Sequence, residues 1–239
     1  MKPSIFLSIL LLTCISTFVC IWYYRTSSSE AYVLVDLTDK KVQQVDAAAI
    51  LDTVLQDNRM YGSVEMHTGS ITDLDYNSGE SLVLPAVFPL LLTNTDRQEE
   101  VTHFSETFHK SLANLYAKGG GRPQSSIYMP LVRYANMLAQ SKASHKHLFV
   151  YSDLLENIDT FSIYRTQDSF DIIRTPDAIL NRLESQAVPS DLTGVSIYFL
   201  YIPKDRKDEQ RHLQMAALLQ KIFKKCHATV FIGTNLSNN

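Results

Sequence analysis

The chain has 239 residues, of which 45% are hydrophobic and 20% charged, and carries a formal net charge of −3. This composition excludes a disordered chain and supplies enough apolar surface for one full core. The slightly acidic balance gives no global basic field, so nucleic acid is not an expected partner.

Residues 1–25 are expected to form a transmembrane anchor or signal segment. Ile5 to Tyr24 contains no charged residue, and about 20 such residues cross a bilayer as a helix. Trp22, Tyr23 and Tyr24 stand at its end, where interfacial aromatics gather. A cleaved signal peptide usually has a shorter apolar core and a small-x-small cleavage site, and no convincing A-x-A site follows. Cys14 after Leu-Leu-Thr loosely resembles a lipoprotein processing site, but Thr is a poor residue before that cysteine. The expected localisation is single-pass membrane, as a signal-anchor, with the soluble domain outside the cytoplasm. Lys2 favours that orientation and Arg25 opposes it. Cys14 and Cys20 fall in the apolar segment, which leaves Cys226 alone in the soluble part and no disulfide within it.

Residues 26–30 read as a Ser-rich linker and 31–239 as one α/β domain. Tyr32–Asp36 is a buried strand, and Val42–Leu55 has the spacing of an amphipathic helix. Gly62–His67 and Ser81–Phe88 read as strands with a polar turn, Thr72–Gly79, between them, an antiparallel pair at a sheet edge. Thr95–Ala117 and Ser126–Gln140 are helices separated by the loop Lys118–Ser126. His147–Ser152 is the next buried strand. Thr175-Pro176-Asp177 opens a helix with an N-cap and a proline at its first position. Gly194–Ile202 is a strand, Asp208–Cys226 a long helix and Thr229–Ile232 a last strand. The Lys and Arg of 204–225 alternate with Asp205, Asp208 and Glu209, the pattern of a solvated helix face. Strands separated by helices imply a doubly wound, mostly parallel α/β sheet. The stretch Asp159–Thr175 is longer than a strand-to-helix connection requires.

Three loops fall at the carboxyl ends of strands or before a helix. The first is Asp36-Leu37-Thr38-Asp39-Lys40, the second Gly119-Gly120-Gly121 leading to Ser125-Ser126, and the third Tyr151-Ser152-Asp153. A parallel sheet brings them to one edge, where open α/β sheets bind ligands. On these residues the chain resembles a von Willebrand factor A-type domain. That family's metal-ion-dependent adhesion site reads Asp-x-Ser-x-Ser in the first loop, with a hydroxyl from the second and an Asp from the third. Asp36 and Thr38 match the first loop, and Lys40 stands where the family has its second Ser. The second-loop hydroxyl falls on Ser125 or Ser126, and the third-loop acid on Asp153. The resemblance spans roughly 31–235.

Hard oxygen ligands from Asp36, Thr38, Ser125, Ser126 and Asp153 suit Mg²⁺ or another divalent cation. Such a site is under-neutralised and leaves an exchangeable position for an incoming carboxylate. The expected function is protein–protein recognition at the membrane, in an accessory subunit of an envelope assembly whose protein partner the sequence does not name. Two alternatives stand beside it. One is a metal-dependent hydrolase or phosphatase using Asp36 and Asp153. The other is a metal-free structural module in which Lys40 replaces the ion. Asp39 reads as the N-cap of the following helix rather than a ligand.

Weaker signals point elsewhere less well. Asp36 lacks the second acid of an Asp-x-Asp phosphatase motif, and GGGRPQSS lacks the Gly-Lys-Ser/Thr ending of a P-loop. Ser152-Asp153 lacks a partnered histidine, so a Ser-His-Asp triad is not supported, and the seven histidines read as surface residues. Glu156 and Asn157 are placed to orient the third loop. Asn235-Leu236-Ser237 fits a glycosylation pattern.

Overall fold

The computed structural model describes residues 3–26, 28–38, 43–57, 61–71, 79–87, 93–117 and 125–236. In chain order the elements are α1 (Pro3–Thr26), β1 (Ser28–Asp36), α2 (Ala47–Asp57), β2 (Ser63–Ile71), β3 (Gly79–Leu84), α3 (Asn94–Ala117) and α4 (Tyr128–Gln140). They continue with β4 (His145–Tyr151), α5 (Thr166–Arg174), α6 (Pro176–Glu184), β5 (Val195–Leu200), α7 (Arg206–Lys225) and β6 (Thr229–Gly233).

The six strands form one sheet in the order β3-β2-β1-β4-β5-β6. All neighbours are parallel except β2 and β3. This is the α/β architecture expected from strands that alternate with helices. The side-chain period of two sorts β1 between two cores. Tyr32 and Leu34 face a cluster built with α4, α6 and α7. Ala31, Val33 and Val35 face a second cluster built with α2 and α3. Helices therefore cover both faces, and the central strands are apolar along their length for that reason.

α1 is 24 residues long. Its side chains are described over 8–19, where Ile9, Leu10, Leu11, Leu12, Ile15, Phe18 and Val19 are all exposed. Among the described residues no helix is long and apolar enough to cross a membrane.

Several boundaries differ from expectation for identifiable reasons. Ser28–Glu30, expected as linker, are the first residues of β1, paired with Ser63–Glu65 of β2. α2 starts at Ala47 rather than 42. The segment before it is held off the helix by Tyr116, whose hydroxyl donates to Gln43 O and accepts from Val45 N, each at 2.9 Å. Asp46 Oδ1 accepts from Ala49 N at 3.0 Å, so Asp46 is the cap that was assigned to Asp39. Asp39 and Val42 lie outside the described residues. β3 stops at Leu84 because Pro85 has no N–H to continue the ladder. Its first residue must be glycine: a Cβ on Gly79 would sit 2.2 Å from Thr68 O on β2. The turn before it, 72–78, lies outside the described residues.

α3 opens on a reciprocal box. Thr93 Oγ1 accepts from Asp96 N at 3.1 Å, and Asp96 Oδ2 accepts from Thr93 N at 3.2 Å. Arg97 follows and is fully buried. It donates to Gly62 O (2.9 Å), Pro85 O (3.0 Å) and Glu100 Oε2 (2.8 Å), tying α3 to the start of β2 and the end of β3. Thr175 makes no side-chain cap for α6. Its hydroxyl donates back to Asp171 O at 3.2 Å, closing α5 instead. The long 159–175 stretch is a packed excursion that contains α5. Phe161 and Ile163 are fully buried, and buried Asp168 accepts from Ser162 N and Arg182 Nη1, both at 3.0 Å. Two histidines expected on the surface are buried: His147, at 4% exposure, and His212, at 3%.

Candidate metal centre at the carboxyl edge of the sheet

Strand order reverses direction between β1 and β4, so a crevice opens outside their carboxyl ends. β1 delivers Asp36 there, and the loop after β4 delivers Ser152 and Asp153. Asp36 is 6% exposed. Its Oδ1 accepts from Thr38 N at 2.9 Å and from Thr38 Oγ1 at 2.6 Å. That double bond turns the first loop back over the strand end. Its Oδ2 accepts from Ser152 Oγ at 2.9 Å, which joins β1 to β4.

The third loop is strained. Leu154 has φ 61, a left-handed conformation that costs a residue with a Cβ about 1–3 kcal/mol. Two features hold it there. Ser152 Oγ accepts from Leu154 N at 2.9 Å, and the Leu154 side chain is completely buried. Asp153 Oδ1 accepts from Leu155 N at 2.9 Å, within its own loop. On the other side, His212 Nδ1 lies 3.0 Å from Asp153 O. A carbonyl only accepts, so this partner assigns the proton to Nδ1. Burial holds the His212 imidazole below its ordinary pKa, offset in part by that carbonyl and by Asp208.

The second loop is stitched to the third. Ser125 and Asn157 exchange backbone hydrogen bonds of 3.2 and 2.8 Å, and Asn157 Oδ1 accepts from Ser162 Oγ at 2.8 Å. Glu156, 1% exposed, caps α4: its Oε2 accepts from Ile127 N at 2.9 Å and Tyr128 N at 2.8 Å. Burial pushes the Glu156 carboxyl up to about 7. The Tyr128 and Ile127 amides oppose that rise, while the nearby negative charge of Asp36 adds to it. Among the described residues, Glu156 Oε1 and Ser126 Oγ are both buried without a hydrogen-bond partner. Ser126 lies close enough to favour the ionised carboxylate, yet the two make no bond of acceptable geometry.

The sequence-predicted residues are therefore brought together in part. Thr38 Oγ1 lies 3.4 Å from Ser125 Oγ, so Asp36, Thr38 and Ser125 form one cluster. Ser126 turns to the Glu156 side. The third loop reaches Asp36 through Ser152, one residue before the acid expected to do so. Glu156 orients the second loop and α4 rather than the third loop. Ser152 carried a weak sequence signal, a hydroxyl directly after a buried strand beside an acid. Lys40 and Gly119–Gly121 lie outside the described residues.

Among the described residues no group of three or more His, Cys, Asp or Glu converges as a metal site. A donor set of one carboxylate and neutral hydroxyls is a different chemistry, and its fit to a hard cation can be tested. Thr38 has one hydroxyl proton, committed to Asp36 at 2.6 Å, so its lone pairs are left for a cation. The 3.4 Å separation of the Thr38 and Ser125 oxygens suits two ligands at right angles about 2.4 Å from an ion, the Ca²⁺ range. Mg²⁺, at about 2.0–2.1 Å, would need the two hydroxyls to close by about half an ångström. By that one distance, the Thr38 and Ser125 hydroxyls fit a divalent cation of the Ca²⁺ size.

No protein-family model matches the chain, and no curated protein matches it.

Proposed function

We propose that this chain is a membrane-anchored recognition module of the von Willebrand factor A type. Its carboxyl sheet edge takes up a divalent cation through Asp36, Thr38 and Ser125, with Ser126 and Asp153 bordering the site. A carboxylate on a protein partner completes the ion's shell. The observation that carries this reading is the state of Asp36: a buried carboxylate in a cage of hydroxyls at the β1/β4 crevice. Hard oxygen donors of that kind favour Mg²⁺, Ca²⁺ or Mn²⁺ over softer ions. The anchor is α1. At about 1.5 Å per residue its 24 residues span roughly 36 Å, and over 8–19 exposed apolar side chains on every side suit lipid. An accessory subunit of an envelope assembly is the setting that such a module suits.

One observation favours a second reading. Thr38 and Ser152 already give Asp36 three hydrogen bonds, enough for a metal-free clamp between β1 and β4. Thermal unfolding of the full chain in detergent, with Mg²⁺, Mn²⁺, Ca²⁺ or chelator, separates the two. A cation present at 100 times its dissociation constant adds about 2.7 kcal/mol to the native state. A metal-dependent rise that disappears in Asp36→Ala supports the recognition site. Equal curves with every ion, and a loss of stability in Asp36→Ala, leave the clamp. Turnover of phosphoesters with Mg²⁺ or Mn²⁺ would replace both with a hydrolase.

A further inference from the structure

We infer that the free edge of β3 and the groove beside it take up an extended, basic segment of a partner protein as an added strand, a contact that needs neither the anchor nor the cation site. β3 ends the strand order, so its outer row of backbone N–H and C=O groups pairs with no strand of the sheet. α3 runs antiparallel alongside it. Arg97 Nη1 donates to Pro85 O at 3.0 Å, and Asn114 Nδ2 donates to Glu80 Oε1 at 3.4 Å. Between these ties lies a groove of about 280 Å³, lined on one side by residues 82–85 and on the other by Glu100, His103, Phe104 and Thr107. Successive residues of a strand face opposite ways, so a groove that touches 82, 83, 84 and 85 follows the strand's rim rather than one of its faces. The helical residues recur at i, i+3, i+4 and i+7, a single stripe of α3.

Beside such an edge an extended peptide gains main-chain hydrogen bonds from the strand and seats alternate side chains in pockets. Leu82, Leu84 and Phe104 make the pocket apolar, and Val83, 62% exposed, offers an apolar contact on the open face. β3 contains no lysine or proline to discourage pairing, and Pro85 falls just after it. Charge selects the occupant. β3 and α3 carry Glu80, Asp96, Glu99, Glu100 and Glu106 against Arg97 and Lys110, and the buried Arg97 is already bonded to Glu100 at 2.8 Å. Glu99 and Glu106 stand one turn to either side of His103, so a surplus of carboxylates runs along the groove. Lysine or arginine in the added strand is matched by those carboxylates, whereas a second copy of this chain would set the same acidic edge against itself.

The test uses the full chain in detergent and two pools of short dye-labelled peptides. One pool alternates valine or leucine with lysine or arginine, and the other alternates them with glutamate. Fluorescence anisotropy reads binding, and hydrogen exchange of the β3 amides reads its place. The expected result is saturable binding of the basic pool, weakened by salt, with the β3 amides gaining protection. Methylating one alternate set of peptide backbone nitrogens is expected to abolish binding and methylating the other to leave it, because only every second N–H of a strand faces its neighbour. Thr107→Trp fills the groove and is expected to weaken binding by about tenfold or more. No binding of the basic pool overturns the inference. So does binding that equals that of the acidic pool, that survives both methylations, or that leaves β3 exchange unchanged. Protection of β3 that rises with protein concentration alone assigns the edge to a second copy and overturns the basic partner.

Discussion

Ser152 donates its hydroxyl to Asp36 Oδ2 across 2.9 Å, and the same oxygen accepts the amide of Leu154. One hydroxyl thus fixes the carboxylate at the end of β1 and the left-handed residue of the loop after β4. The strain at Leu154 is stored where two strands meet at the crevice, the position at which backbone outliers most often serve a site.

Replacing Ser152 by Ala removes a hydrogen bond to a buried carboxylate, worth about 1.5–3 kcal/mol, and frees the Leu154 amide. Ser152→Ala is expected to destabilise the domain by about 2–4 kcal/mol, measured by urea unfolding at pH 7. A change within the error of the wild-type midpoint would sink the idea that this hydroxyl holds the crevice together. Ser152→Thr keeps the hydroxyl and separates its loss from a change in packing.

Asp46 is a simpler case. Its side chain caps α2 from an exposed position, through Ala49 N at 3.0 Å. Asp46→Ala is expected to cost about 1 kcal/mol, and Asp46→Asn much less, because the amide oxygen caps as well. Thermal melts of the two variants make the comparison. Equal losses would show that the negative charge, rather than the cap bond, is what α2 uses.

The sheet was legible because its central strands are apolar on both faces and end in turn-forming or acidic residues. Tyr32–Asp36, His147–Ser152 and Gly194–Ile202 read directly from that pattern, each overlapping its strand, β1, β4 or β5. The start of α2 was not legible, because a hydroxyl 71 residues away, on Tyr116, holds Val45 off the helix. Periodicity carries no trace of such a tertiary contact. α5 was missed because Asp168 sits on its inward face and breaks the apolar stripe, and its partners Arg182, Arg165 and Ser162 make that burial tolerable. At the candidate site Asp36, Thr38 and Ser125 were readable from loop position. The exchange of Asp153 for Ser152 was not, since both follow the same strand and only the local turn decides which one faces Asp36.

Arg97 tests the far end of the sheet. Its guanidinium is buried and bonded to two backbone carbonyls and to Glu100. Arg97→Met removes the charge and leaves Gly62 O and Pro85 O without these donors, a loss of about 3–5 kcal/mol. Arg97→Lys is expected to recover less than half, because one ammonium cannot reproduce a planar fork that reaches two carbonyls. Hydrogen exchange would read the effect where it acts, with protection lost in β2, β3 and the first turns of α3. Loss confined to β6 would contradict the assignment.

Glu156 gives the domain a pH dependence of defined sign. Its carboxyl rises from an ordinary 4.5 to about 7, chiefly through burial. Between those values the native state holds a proton that the unfolded state has lost. Stability from this group is therefore full below pH 4.5 and falls as pH rises to about 7, by roughly 3 kcal/mol over the window. His212 has the opposite sign. Its folded pKa is lowered by burial, so its contribution is present above the ordinary 6.5 and fades as pH falls below it. Glu156→Gln retains an oxygen for the Ile127 and Tyr128 amides and cannot ionise. It is expected to match wild type near pH 5 and to exceed it in stability at pH 8. Denaturant unfolding at both pH values decides the point: a variant less stable than wild type at pH 8 would mean that the ionised carboxylate, held by the α4 amides, is the form the fold prefers.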